Sequence, residues 1–262
     1  MAVAFTHEVI EVSGCKVTLK RGGAGPVLLY LHGAGGAGVV DPFLQDLANE
    51  YQVLIPEHPG FGGSDEPAWL DNMHDMAYFY LDLLEKLEVR AAHVVGASLG
   101  GWLAMEIAIR DASRIRAMTL MGPSGIHVQG LKKGDLFMWS PEERIRNLFY
   151  DPAIAERLLA MNPSPEMQDG LLKNAYSTAR LAWEPRLYDP NLHKWLHRLK
   201  MPVQIIWGEN DRILPAEYAP ALAKMIAGAR VSIVAQCGHL PQAEKPQEFL
   251  RLFREFAATL PR

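Results

Sequence analysis

The chain has 262 residues, of which 49% are hydrophobic and 21% charged, with 26 basic against 30 acidic residues and a net charge of −4. That composition excludes a disordered chain and fits one large domain or two small ones. A pI near 6.1 argues against a nucleic-acid binder, which carries a basic face.

Taken in chain order, short apolar runs alternate with longer amphipathic stretches. Segments 5–12 and 16–20 read as two opening strands, turned by Ser13-Gly14. The run VLLYL at 27–31 is continuous, as in a strand covered on both faces. Runs at 52–55, 92–95, 117–121, 203–207 and 231–234 repeat it. Between them, 73–87 carries apolar residues at helical spacing, and 99–110, 216–227 and 246–260 are further predicted helices. Pro246 suits a helix's first turn. This alternation predicts a mostly parallel sheet with helices on both faces. It breaks over 125–199, which is rich in Trp, Met, Tyr and Pro and shows helical pieces at 142–150, 153–161 and 165–181. That stretch reads as an insertion.

The sharpest chemical signal is Gly96-Ala97-Ser98-Leu99-Gly100, after one apolar run and before a helical stretch. This is the strand–turn–helix setting of a G-x-S-x-G nucleophile elbow, where small residues let strand and helix approach. A serine needs a base, and the base needs an orienting acid. Asp211 follows the 203–207 run and His239 follows the 231–234 run, in the order Ser, Asp, His that such an elbow expects. Both fall just past strand ends, where an open parallel sheet places its site. Glu209 is the rival acid. The loop His32-Gly33-Ala34-Gly35-Gly36 directly follows the 27–31 strand. Acyl transfer needs two N–H donors for the developing oxyanion, and the Ala34 and Leu99 amides are the candidates.

The same loop spells a competing fingerprint. Gly33, Gly35 and Gly38 match G-x-G-x-x-G, and Glu57 lies 19 residues beyond Gly38. In a dinucleotide site the helix opens within the glycines, whereas Asp41-Pro42 marks the helix start here. A nucleotide reading also leaves Ser98, Asp211 and His239 unused.

Together these segments resemble the α/β-hydrolase fold superfamily over nearly the whole chain. The segments that carry the resemblance are the opening hairpin, HGAGG, PEHPGFGGSD at 56–65, GASLGG, GENDRILP around Asp211 and CGHLPQAEKP around His239. The resemblance implies an eight-stranded, mostly parallel sheet with helices on both faces and a helical cap inserted after the sixth strand. The core would be 1–124 and 200–262, and the cap 125–199. A serine at position 98 sets the chain apart from dehalogenases and epoxide hydrolases of this fold, which use Asp. Remaining are carboxylesterases and lipases, thioesterases, perhydrolases, iminopeptidases and C–C bond hydrolases of ring-cleavage (meta-cleavage) products. The usual C–C hydrolase pattern has Pro in the His-Gly loop, Asn before the serine and Trp after the histidine; here stand Gly36, Ala97 and Leu240.

The expectation is a serine esterase acting on small or medium acyl esters through an acyl-enzyme, with a C–C hydrolase or thioesterase as alternatives. Met138, Trp139 and Trp183 in the cap, with Leu240 beside the histidine, are candidate substrate contacts in an apolar pocket. Met161, Met167 and Tyr176 belong to the same apolar set. No cofactor and no metal is expected, and His58, Asp65 and His74 read as surface residues. The partner is a small ester or related acyl compound, with neither nucleic acid nor membrane. Two distant cysteines, Cys15 and Cys237, read as buried thiols. The opening residues lack a basic, apolar leader and no run reaches the ~20 apolar residues of a span, so a cytoplasmic chain is expected.

Overall fold

A computed structural model describes residues 3–261; residues 1, 2 and 262, within the expected core unit, lie outside the described residues. Strand β1 (Phe5–Val12) pairs antiparallel with β2 (Cys15–Gly22). Ser13 and Gly14 between them both have positive φ, 50° and 74°, the conformation that a two-residue hairpin turn needs to match strand twist. Strands β3 (Val27–Leu31), β4 (Gln52–Pro56), β5 (Ala92–Ala97), β6 (Ile115–Met121), β7 (Val203–Gly208) and β8 (Arg230–Val234) complete one eight-stranded sheet. Its order is β1-β2-β4-β3-β5-β6-β7-β8. β2 meets β4 antiparallel, and from β4 to β8 all pairs are parallel.

Side chains alternate between two cores. On β3, Leu29 and Leu31 face one cluster while Leu28 and Tyr30 face the other. On β5, Ala92 and Val94 oppose Val95 and Ala97 in the same way. A strand sandwiched between helix layers must be apolar at both parities, which explains the continuous runs. Helices α2 (Met73–Lys86) and α3 (Leu99–Arg110) pack on the first face. Helices α1 (Pro42–Leu47) and α9 (Pro246–Ala257) cover the second, with Phe43, Phe249 and Phe253 at its centre. Asn72 caps α2 by accepting from the His74 and Asp75 amides. Both cysteines are free and buried, and burial raises the Cys15 thiol to about 11 and the Cys237 thiol to about 12.

Between β6 and β7 lie α4 (Pro141–Leu148), α5 (Pro152–Leu159) and α6 (Pro165–Ala182), then two short 3₁₀ turns. Each helix opens with Pro in its first turn behind a capping Ser140, Asp151 or Ser164. Leu181 and Ala182 at the end of α6 join the main core. Two expected helices are shorter than their periodicity. Over 216–227 only α7 (Tyr218–Ala223) is helical, and Met225 and Ile226 continue as turns bonded to Leu222 and Ala223 before Gly228 reverses the chain. Past Ala257 the C-terminal helix unwinds in the same manner. The short helix α8 (Pro241–Glu244), directly after His239, gave no periodic signal because it spans one turn.

Candidate active site

Ser98 links β5 to α3 with φ 51° and ψ −111°, a backbone state that a side chain rarely adopts. Its amide donates to the Met121 carbonyl at 2.9 Å, and its carbonyl accepts from the Gly101, Trp102 and Ser124 amides. The surrounding glycines are sterically required. A Cβ on Gly96 would lie 2.6 Å from the Gly100 oxygen, and one on Gly100 would drive into the Leu31 and His32 carbonyls. This packing over-determines the elbow and holds the serine in its strained conformation.

Asp211 sits in the turn after β7, and His239 in the loop after β8. His239 Nδ1 lies 2.6 Å from Asp211 Oδ2, and both side chains are buried. Asp211 Oδ1 accepts from the Ile213 and Leu214 amides at 2.8 and 2.9 Å. A carboxylate only accepts, so its contact with a neutral imidazole places the proton on Nδ1 and leaves a lone pair on Nε2. Nε2 is buried and has no hydrogen-bond partner among the described residues. Gly122 forms the wall behind the pair, its Cβ position 3.3 Å from Nδ1 and 3.4 Å from Oδ2. The rival acid Glu209 is exposed and accepts from the Gln236 amide instead.

The His-Gly loop lies against the serine: a Cβ on Gly33 would be 3.4 Å from the Ser98 Cβ. The Gly36 amide folds back to the Gly33 carbonyl, and the Ala37 amide donates to Glu57 Oε1 at 3.0 Å. The Ala34 and Leu99 amides have no acceptor among the described residues. Glu57, the acid of the dinucleotide fingerprint, thus faces its own loop, and α1 begins only at Pro42. Asp41 precedes that helix without a side-chain capping bond.

Beneath the loop lies a buried histidine pair, His32 and His58, and the second of these is expected from the sequence to lie at the surface. His58 is 1% exposed and stacks on His32 at 3.6 Å between ring centroids. The His58 amide donates to His32 Nε2, and His58 reaches the Tyr80 hydroxyl and the His32 carbonyl. Apolar periodicity says nothing about loop residues, so only this network reveals their burial. Burial holds His32 down at about 3 and His58 well below its ordinary value. His93, on β5 against Phe253, is likewise held at about 3 by burial. In the unfolded chain each takes a proton near ~6.5. Between there and about 3 the unfolded state binds more protons than the folded one, so stability falls as pH falls through that window. The expected loss is on the order of 1 kcal/mol per pH unit for each of His32 and His93, and His58 adds to it in the same direction. Urea unfolding at pH 7.5, 6.5 and 5.5 measures it. His93→Gln, which keeps a partner for the Thr119 hydroxyl, should flatten the slope by about one proton's worth. A flat profile in the parent chain would refute the assignment.

The structure scatters the expected apolar contacts. Met138 is 67% and Trp183 44% exposed; Trp183 packs on Phe137 and under Arg186. Trp139 is half-buried against Gly134, and Leu240 is half-buried ahead of α8. Met161, Met167 and Tyr176 are exposed. A cavity of about 220 Å³ opens instead between α4, α5 and the residue after Asp211, lined by Arg212 and by Arg146, which is paired with Glu142 and Glu156.

Among the described residues one group has metal-ligand chemistry. His74 Nε2 lies 2.9 Å from Asp189 Oδ2 and 3.9 Å from Glu106 Oε2. Glu106 already accepts from Trp102 Nε1 and Arg110, and Asp189 from the Asn191 amide. The Arg110 charge opposes a cation there, so the group works as a hydrogen-bonded tie between α2, α3 and the end of the insertion.

Comparison with known proteins agrees with this architecture. Residues 28–252 match the model of the alpha/beta hydrolase family. The chain is 29% identical over 274 residues to a 2-hydroxy-6-oxo-6-phenylhexa-2,4-dienoate hydrolase of Comamonas testosteroni, covering 94% of this chain and 92% of that protein. It is 28% identical over 288 residues to a 2-hydroxymuconate semialdehyde hydrolase of Pseudomonas sp. strain CF600, covering 95% and 93%. Among solved structures, a 2-hydroxy-6-oxo-6-phenylhexa-2,4-dienoate hydrolase from Rhodococcus sp. strain RHA1 superposes with a TM-score of 0.80 at 23% identity, covering 98% of this chain and 100% of that one. An esterase from Rhodococcus sp. ECU1013 gives 0.77 at 21%, covering both chains fully. At these identities the superpositions establish the fold. No helix among the described residues is long and apolar enough to cross a membrane.

Proposed function

Because the chain belongs to the alpha/beta hydrolase family, we propose that it is a serine hydrolase that cleaves small to medium carboxylic esters through an acyl-enzyme. The observation that carries this reading is the buried His239–Asp211 pair, whose Nε2 has no partner among the described residues, together with a strained serine at the β5–α3 elbow. Ser98 Oγ attacks the ester carbonyl while His239 Nε2 takes its proton. Asp211 holds the tautomer and stabilises the imidazolium. The Ala34 and Leu99 amides receive the oxyanion. The imidazolium then protonates the departing alcohol, and water, activated by the same histidine, releases the acid. Every step uses groups of this chain and water.

Residues 125–199 serve as a cap in this reading: Lys173, Asn174 and Ser177 of α6 bond to backbone of the loops after β3 and β4. A second reading, C–C bond hydrolysis of ring-cleavage dienoates, is supported by the names of the 28–29% identical relatives. Gly36, Ala97 and Leu240, where the pattern noted above has Pro, Asn and Trp, favour the ester. Turnover of a p-nitrophenyl ester series from acetate to dodecanoate, alongside a ring-fission dienoate followed by its visible absorbance, decides between them. Ester turnover well above dienoate turnover is expected. The reverse would make the chain a C–C hydrolase.

A further inference from the structure

Asn174 stands in the middle of α6, 7% exposed, far in sequence from every residue of the proposed chemistry. A buried amide must satisfy both its ends. Its Nδ2 donates to the Gly35 carbonyl at 2.8 Å, and its Oδ1 accepts from the Gly62 amide at 2.9 Å. Among the described residues this is the one hydrogen bond between the 125–199 insertion and the His32–Gly36 loop. The other polar clamps of α6 go elsewhere: Lys173 and Ser177 to the Gly60, Gly62 and Ser64 carbonyls, and Arg180 to Glu66 and Asp71.

The position of that bond matters. The Gly35–Gly36 peptide is held at both ends, its N–H by the Gly33 carbonyl at 3.1 Å and its oxygen by Asn174. The next amide, Ala37, is held by Glu57. Gly36 has φ 85°, and a Cβ there would strike the Asn174 amide and approach Glu57 Oε1 to 3.2 Å. The far side of the loop is therefore locked by Asn174 and Glu57. The near side, where Gly33 lies beside Ser98, keeps the Ala34 amide without an acceptor among the described residues.

We propose that Asn174 is a positioning residue that couples the docking of α6 to the geometry of the oxyanion-binding loop; the proposal rests on the serine-hydrolase reading above. It touches neither substrate nor the reacting atoms. It orients the Gly35–Gly36 peptide, whose N–H holds the Gly33 carbonyl of the peptide that carries the Ala34 N–H, so that donor is aimed only while Asn174 is seated on the loop. An oxyanion donor acts mainly in the transition state, so misaiming it lowers kcat and leaves ground-state binding nearly intact.

Two variants test this. Asn174→Asp keeps an acceptor for the Gly62 amide but turns an oxygen toward the Gly35 carbonyl. Asn174→Ser removes the reach to Gly35 without adding charge, which keeps the test open where the aspartate destabilises the fold. Each is expected to lower kcat on the best p-nitrophenyl ester by about 10- to 100-fold, with KM within about threefold. Affinity for a trifluoromethyl ketone, which forms a tetrahedral adduct, should fall in proportion to kcat/KM. Ser177→Ala, which removes the α6 bond to Gly60 while leaving the Asn174 bonds in place, should keep kcat. Unchanged kcat in a folded Asn174 variant, a change confined to KM, or an equal kcat loss in Ser177→Ala would each overturn the proposal. Failure of the parent chain to react with a fluorophosphonate at Ser98 is a separate result that would remove the underlying reading, and this proposal with it.

Discussion

Ser98→Ala is expected to lower kcat on any ester the parent chain hydrolyses by about 10³-fold or more, with no measurable loss of stability. The two halves of that expectation have different origins. The catalytic half follows from the nucleophile: without Oγ there is no acyl-enzyme, and only oxyanion binding and orientation remain. The stability half follows from the backbone. Ser98 and an alanine in its place both carry a Cβ at φ 51°, so the strain is unchanged. Glycine has no such penalty. Ser98→Gly should therefore be equally inactive yet more stable, by about 1 kcal/mol, as the positive-φ cost is relieved. A serine held in a strained state that its own removal would relax is hard to explain by packing alone. Stoichiometric fluorophosphonate labelling in the parent chain, absent from both variants, would tie the effect to the hydroxyl. Retained turnover in Ser98→Ala would place the nucleophile elsewhere.

Much of the candidate site was legible because parallel sheets advertise themselves. A strand covered on both faces must be apolar at successive positions, and its end is marked by the first residues that need not be. Ser98, Asp211 and His239 each stand one to five residues beyond such an end. The insertion was legible as an interruption but not in its surfaces. Met138 and Trp183 have the composition of pocket residues, yet a three-helix insertion of this length exposes part of every helix, and periodicity does not say which face meets the core. His58 and Asn174 were invisible for a related reason. Their burial comes from contacts 26 and 139 positions away, with His32 and Gly35, and neither sits on an apolar stripe. Local signals find residues positioned by their own element; residues positioned by another element's loop leave none.

Asp211→Asn should cost nearly as much as removing the nucleophile, about 10³- to 10⁴-fold in kcat, while the fold survives. The argument rests on which way the new amide must point. Oδ1 accepts from the Ile213 and Leu214 amides, two donors fixed by the turn after β7. An asparagine keeps its oxygen there, because turning its NH₂ toward two N–H groups would bury three donors against one another. The NH₂ then occupies the place of Oδ2, 2.6 Å from His239 Nδ1, and donates to it. That bond forces the imidazole proton onto Nε2, the nitrogen that should accept from Ser98. The histidine keeps its place and loses its function as a base. Glu209→Gln serves as the control, since that carboxylate bonds to the Gln236 amide at the surface and should change kcat by no more than about twofold. Near-normal kcat in Asp211→Asn, or a large loss in Glu209→Gln, would overturn the assignment of the acid. A neutron or NMR measurement of the His239 tautomer in Asp211→Asn, showing the proton on Nε2, would confirm the route by which activity is lost.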